Sequence, residues 1–348
     1  MANNINFGKI YDSTWWGVGV TSNNINWGKS YLDLAGGGDE RFIITVKTDN
    51  TGTSGTNQFT IPTSTSGITT PFLYDIETSD GQTITGVTGD QTITFPSAGT
   101  YDIFISGSFP YMYFADGGDK YKLLEIKNFG VYALGSTSQL SAFLGCSNLV
   151  INATDTGHFS GVTNFALSWR GCSNLTSFPL IDTSSCANFS STWFSCSSLT
   201  SFPLIDTSSG ANFTSSWGGC SNLTLFPQIN TSSGTNFNST FANCSSLTSF
   251  PLINTSSGTN FNLAWGGCTS LISFPSNPFD TNIATNYTNA FLATNLTTQS
   301  IDDILVSLDT SGVSNGEFSQ SGGQAPSATG QNAIDSLVGK GWTITVTA

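Results

Sequence analysis

Six of the seven cysteines recur at a fixed interval. Cys146, Cys172, Cys196, Cys220, Cys244 and Cys268 are separated by 26 residues once and by 24 residues four times. A unit this short cannot bury its own apolar side chains. It folds by stacking on copies of itself, which points to a solenoid. One unit runs from Cys196 through Leu199, Phe202-Pro203, Ile205-Asp206, Gly210 and Asn212-Phe213 to Trp217, before Cys220 begins the next.

Within each unit Phe, Trp, Cys and Leu lie 4, 3 and 3 residues apart, as in Phe189, Trp193, Cys196 and Leu199. That spacing predicts a helical face of about two to three turns. Thr200 to Ile205 reads as a short strand, with Pro203 limiting its pairing. Asp-Thr-Ser-Ser-Gly follows as a turn, with Gly210, Gly234 and Gly258 expected at positive φ. Asn188, Asn212, Asn236 and Asn260 recur before the Phe and are expected to form an asparagine ladder between coils.

These residues resemble the BspA-like leucine-rich repeats of bacterial surface proteins. The shared pattern, C-S-[SN]-L-T-x-F-P-x-I-[DN]-T-S-S-G-x-N-F, extends from about Phe143 to Leu296 and decays at both ends. Residues 39–115 alternate in strand fashion, as in Phe42 to Val46, Gln58 to Ile61, Thr83 to Thr85, Thr92 to Phe95 and Tyr101 to Ile105, which predicts a β-sandwich. The run Phe95-Pro-Ser-Ala-Gly99-Thr-Tyr101-Asp-Ile-Phe-Ile105 resembles the closing hairpin of polycystic-kidney-disease-type (PKD) domains, and Ser79-Asp80-Gly81 stands where their usual turn would be. Residues 116–145 are expected to be a connector and N-terminal cap, 146–296 the leucine-rich-repeat solenoid and 297–348 a C-terminal cap. In that cap Ile301 to Leu308 and Ala333 to Val338 read as helices, Ser311 to Gly330 as a polar loop and Trp342 to Val346 as a strand. The expected fold is thus multidomain and β-rich with short helices: an Ig/PKD-like β-sandwich, a leucine-rich-repeat solenoid of 24-residue coils, and an α/β cap.

Residues 1–38 carry a duplication, Asn3-Asn-Ile-Asn-Phe7-Gly-Lys9-Ile-Tyr11 and Asn23-Asn-Ile-Asn-Trp27-Gly-Lys29-Ser-Tyr31. The segment is too short for its own core, and Phe7, Lys9, Tyr11, Trp15, Trp16, Trp27, Lys29 and Tyr31 are expected to dock on a partner. It resembles the N-termini of structural proteins of marine tailed phages. The opening residues have neither the basic nor the apolar region of a secretory signal, so the chain is expected to be made in the cytoplasm and to reach the outside on a virus particle.

The chain has 348 residues, 9 Lys/Arg and 22 Asp/Glu, or 9% charged, against about 25% in ordinary domains. No Lys or Arg occurs from Gly171 to Gly339, and the net charge is -13. Binding nucleic acid needs cations to neutralise phosphates, so no nucleic-acid partner is expected, and no membrane insertion. With one histidine, His158, and no nucleophile elbow, phosphate loop or metal-ligand spacing, the sequence holds no catalytic constellation, cofactor site or metal site.

The remaining columns have two readings each. Cys172, Cys196, Cys220, Cys244 and Cys268 are expected as reduced core thiols rather than disulfides, and Trp193, Trp217 and Trp265 as a core stripe rather than a sugar platform. Cys186 replaces the turn Gly and is expected to be an exposed thiol. Asp182, Asp206, Asn230 and Asn254 have too few oxygen ligands beside them for calcium. Thr183, Thr207, Thr231 and Thr255 read either as a hydroxyl column facing a ligand or as solvated turn surface. The resemblances together imply a virion-surface protein that docks other virion proteins through its N-terminus and adheres to a host polysaccharide or protein. A decoration without receptor, a bacterial cell-surface adhesin and an ice-binding protein are the alternatives. A homotrimer would suit a fibre, although no heptad supports it.

Overall fold

In the computed structural model the described residues are 39–348, and the residues from Phe7 to Tyr31 that are expected to dock on a partner lie outside them. The chain is β-rich, with two α-helices among the described residues. The first sheet is built from β1 (Phe42–Lys47), β3 (Leu73–Thr78), β4 (Thr83–Val87), β6 (Thr100–Ser108), β7 (Leu123–Asn128) and β8 (Val150–Ile151), while β2 (Gln58–Ile61) and β5 (Gln91–Thr94) form a separate pair. The strand order is β4-β3-β6-β1-β7-β8. Alternation places Phe42, Ile44 and Val46 of β1 in the core, facing Ile105, Ile103 and Tyr101 across an antiparallel register. The sheet does not end at residue 115. It takes β7 from the expected connector and β8 from the first coil, joined in parallel at Glu125↔Val150. One apolar core therefore runs on from the sheet into the coils.

A buried ion pair secures the long β1–β2 turn. Lys122 and Asp119 lie 3.8 Å apart with side chains 1% and 0% exposed. The Lys122 ammonium donates to the carbonyls of Ser54, Gly55 and Gln58 and to the Ser54 hydroxyl. Asp119 accepts from the Ser54 and Thr60 amides and the Ser54 hydroxyl. Both charges are thus fully solvated by protein, which is the condition for keeping them inside.

Beyond β8 the units stack as coils, and the segment expected to be helical is not a helix. Each coil has left-handed residues at two positions, the Ser191, Ser215 and Ser239 position and the Gly171, Ser195, Gly219 and Gly267 position four residues on. A continuous α-helix excludes them. Every amide from Phe189 to Cys196 nevertheless has a partner. Phe189, Ser191, Trp193 and Ser195 donate forward to Asn212, Thr214, Ser216 and Gly218 of the next coil. Thr192, Phe194 and Cys196 donate back three residues, and Ser190 donates to the Asn188 side chain. The chain alternates ladder bonds with turn bonds, so the 4-3-3 spacing survives without a helix.

Nor does Thr200 to Ile205 form a strand. Parallel bridges lie instead at Asn164, Asn188, Asn212, Asn236, Asn260 and Asn286, with one further bridge at Ser249↔Ser273. Gly210, Gly234 and Gly258 are not at positive φ. They are glycine because a Cβ at Gly210 would sit 2.5 Å from the Phe213 ring and 3.0 Å from the Thr207 carbonyl.

The last coil passes into a parallel sheet of β9 (Asn286–Phe291), β10 (Glu317–Ser321) and β11 (Thr343–Thr347), with α1 (Thr298–Thr310) and α2 (Ala328–Gly339) packed together. The expected loop between the helices contains β10, whose sequence Glu-Phe-Ser-Gln-Ser buries only Phe318 and Gln320. Helix α1 turns Ile301, Ile304, Leu305 and Leu308 inward and starts at Thr297, whose hydroxyl accepts from the Ser300 amide. Helix α2 starts at Ser327, which donates to the buried Asp302 carboxylate. No helix among the described residues is long and apolar enough to cross a membrane.

Replacing Lys122 with Met leaves Asp119 buried without its counter-charge. The variant is expected to lose about 3–5 kcal/mol in urea unfolding.

Candidate functional site

The stacked coils present columns of equivalent side chains, and the columns divide sharply into buried and exposed. Three aromatic columns fill the interior. Trp169, Trp193, Trp217, Phe241 and Trp265 stack with ring centroids 5.3–6.4 Å apart, and Phe189, Phe213, Phe237 and Phe261 at 5.0–5.5 Å. Phe178, Phe202, Phe226, Phe250 and Phe274 form the third column. They meet the Trp column nearly at right angles, as where Phe202 lies 4.8 Å from Trp193 at 73°. The buried indole N–H groups of Trp169, Trp193, Trp217 and Trp265 have no oxygen or nitrogen partner. All of these rings are buried, so none forms a sugar-stacking platform.

The cysteines line the same interior. Cys172 donates its S–H to the Phe143 carbonyl, Cys196 to Trp169, Cys220 to Trp193, Cys244 to Trp217 and Cys268 to Phe241, at 3.2–3.3 Å. Each thiol thus bonds the preceding coil, and all seven cysteines are unbridged and buried. Burial pushes the thiols of Cys172, Cys196, Cys220 and Cys244 well above the usual range, and that of Cys268 up to about 12. Cys186 is not exposed. Its turn position points into the core against the Phe column, it is 0% accessible, and burial raises its thiol to about 12.

The threonine column also faces inward. Thr183, Thr207, Thr231 and Thr255 are buried, and their hydroxyls donate to the carbonyls of Asp206, Asn230, Asn254 and Pro278 in the following coil at 2.5–2.7 Å. They hold coil to coil and cannot face a ligand. The asparagine ladder is carried by the backbone. The side chains of Asn188, Asn212, Asn236 and Asn260 accept the amide two residues ahead in their own coil. One amide link, Asn286 to Asn260 at 3.2 Å, crosses between coils in this column.

The surface columns that remain are different residues. Leu180, Leu204 and Leu252, with Gln228 completing the column, follow a buried Phe and a half-buried Pro and project outward, the leucines 60%, 63% and 46% exposed. Thr176, Thr200 and Thr224 stand exposed nearby on the same segment of each coil, the hydroxyls of Thr200 and Thr224 donating to the carbonyls of Thr176 and Thr200 in the preceding coil. On the next turn Asp182, Asp206, Asn230 and Asn254 each accept the amide two residues on. Hydrogen bonds from Ser208 hold the Asp206 carboxyl below its ordinary range. An open groove of about 350 Å³ beside the last coils is lined by Gln228, Leu252, Asn254, Asn277 and Asp280. Among the described residues no group of three or more His, Cys, Asp or Glu is placed to hold a metal ion. The leucine column was legible in the sequence as the residue after each Phe-Pro, but an apolar residue in a repeat reads first as core.

Comparison with protein families, curated proteins and solved structures finds no match to this chain.

Two predictions follow from the inward columns. Thr207→Val keeps the branched shape but leaves the Asn230 carbonyl without its hydroxyl, and is expected to cost about 1–2 kcal/mol in chemical unfolding. The thiols stay protonated in the fold and ionise more readily when unfolded. Stability from them is therefore complete below pH 9 and falls as pH rises from 9 towards 12. Urea midpoints measured across that range, and a thiol reagent that labels none of the cysteines until the chain is denatured, check this.

Proposed function

We propose that the chain is a non-enzymatic structural protein of a virion, and that its coils form a leucine-rich-repeat solenoid of the BspA-like kind adhering to the host cell surface or its glycans. In this reading the β1–β8 sheet and the β2–β5 pair are the Ig/PKD-like module that spaces the coils from the particle, and residues 1–38 dock on other virion proteins. The carrying observation is the exposed column Leu180, Leu204, Gln228 and Leu252, one side chain per coil. Apolar side chains that project in register, on a coil surface made mostly of Ser, Thr and Asn, mark a contact surface rather than a core, and Leu225 and Ile272 add exposed apolar side chains outside the column. One weak contact per coil, multiplied by copies on a particle, gives avidity without a deep pocket. The lack of Lys and Arg from Gly171 to Gly339 favours neutral glycans or protein over anionic polymers.

The test is a variant in which Leu180, Leu204 and Leu252 are all serine. Its thermal midpoint should stay near that of the parent, because the three side chains are outside the core, and adsorption of particles to host cells should fall by at least about tenfold. Unchanged adsorption would remove the adhesive role and leave a decoration role, which a lattice position on the particle would then establish.

A further inference from the structure

The parallel ladder that joins the coils does not stop at the last one. It passes from Asn260 to Asn286 in β9, from Asn286 to Glu317 in β10 and from Glu317 to Thr343 in β11. Its first rungs are closed, because Thr137 donates to the Gly67 carbonyl and Ile68 bridges Ser136 in antiparallel fashion. Its last strand, β11, has an open outer edge among the described residues. We propose that two copies of this chain pair through β11, antiparallel about a two-fold axis at Thr345.

The backbone orientation is suited to this. The Thr343 amide donates inward to Gly316 at 2.9 Å, so by strand alternation Thr345 also faces β10, while the backbone groups of Ile344 and Val346 face outward. Centred on Thr345, an antiparallel partner sets Ile344 opposite Val346 in both directions. These are the residues whose N–H and C=O point across the gap, so each pair exchanges both hydrogen bonds. Side chains match as well: Thr345 meets Thr345 and Thr343 meets Thr347 on one face, and the half-buried Ile344 and Val346 meet on the other. The sequence Thr-Ile-Thr-Val-Thr is therefore complementary to itself, which a two-fold interface requires.

The edge also lacks the usual protection. On the larger sheet, edge strand β4 is interrupted by a register shift and carries Gly86 at φ 70°, devices that discourage pairing. β11 keeps unbroken register with β10 along its whole length and has no charge, proline or bulge. The nearest cation, Lys340, is held by Asp309 at 2.7 Å.

Sedimentation equilibrium of the full chain, with the variants Thr345→Lys and Val346→Pro, tests the pairing. Thr345→Lys changes an exposed side chain and sets like charges against each other at the axis. Val346→Pro deletes an outward amide and leaves the inward bonds to β10. The parent should sediment with the mass of two chains at tens of micromolar, and each variant that keeps the parent's thermal midpoint with the mass of one. A parent that stays single at those concentrations overturns the proposal, as does an oligomer that folded Thr345→Lys leaves intact.

Discussion

The hydrogen bond from one coil to the next is the interaction on which the rest of this structure depends. Amides at Phe189, Ser191, Trp193 and Ser195 and the hydroxyl of Thr183 donate to the following coil, and the hydroxyl of Ser216 and the thiol of Cys220 donate to the preceding one. A coil has little to hold it without a neighbour. Its aromatic side chains find partners mainly in the coils above and below, and its turn bonds close only short loops. The register of 24 residues is therefore an energetic requirement: a shift of one residue would take every donor away from its acceptor and every ring away from its stack.

This constraint accounts for the unusual composition. A side chain in such a stack meets its own kind in the neighbouring coils, so a charged residue meets a like charge at about one strand spacing. Ser, Thr, Cys and Asn can repeat without that repulsion, and the first three can donate to a carbonyl one coil away. The charges that remain cluster where repetition is absent, as in the Lys122–Asp119 pair and the Lys127–Asp102 contact of the sheet.

Periodicity made the stack and most of its core legible. The cysteine interval located the coils, and the Phe, Trp, Cys and Leu positions named the side chains that fill them. Local conformation was less legible, for identifiable reasons. The 4-3-3 spacing is shared by a helix and by a chain of turns broken by left-handed residues, and serine at positions 191 and 195 gives no sign of positive φ. Thr183 sits in a turn-like run, so its inward hydroxyl could not be read without the next coil's carbonyl. Cys186 looked exposed because a glycine in a turn suggests backbone freedom, whereas that glycine is there to make room for a phenyl ring. Strands β7, β8 and β10 are short or polar, and their pairing is with residues distant in sequence.

The direction of the coil-to-coil bonds has a mechanical consequence. Tension along the stack loads those bonds in series, so each interface between coils bears the whole force and the weakest one sets the limit. Within one interface, amide, hydroxyl and thiol bonds share the load in parallel, and the interlocked rings resist sideways sliding. Such a stack resists shear, and under sufficient pull it lengthens coil by coil, each release paying out a fixed length of chain before the next interface takes up the strain.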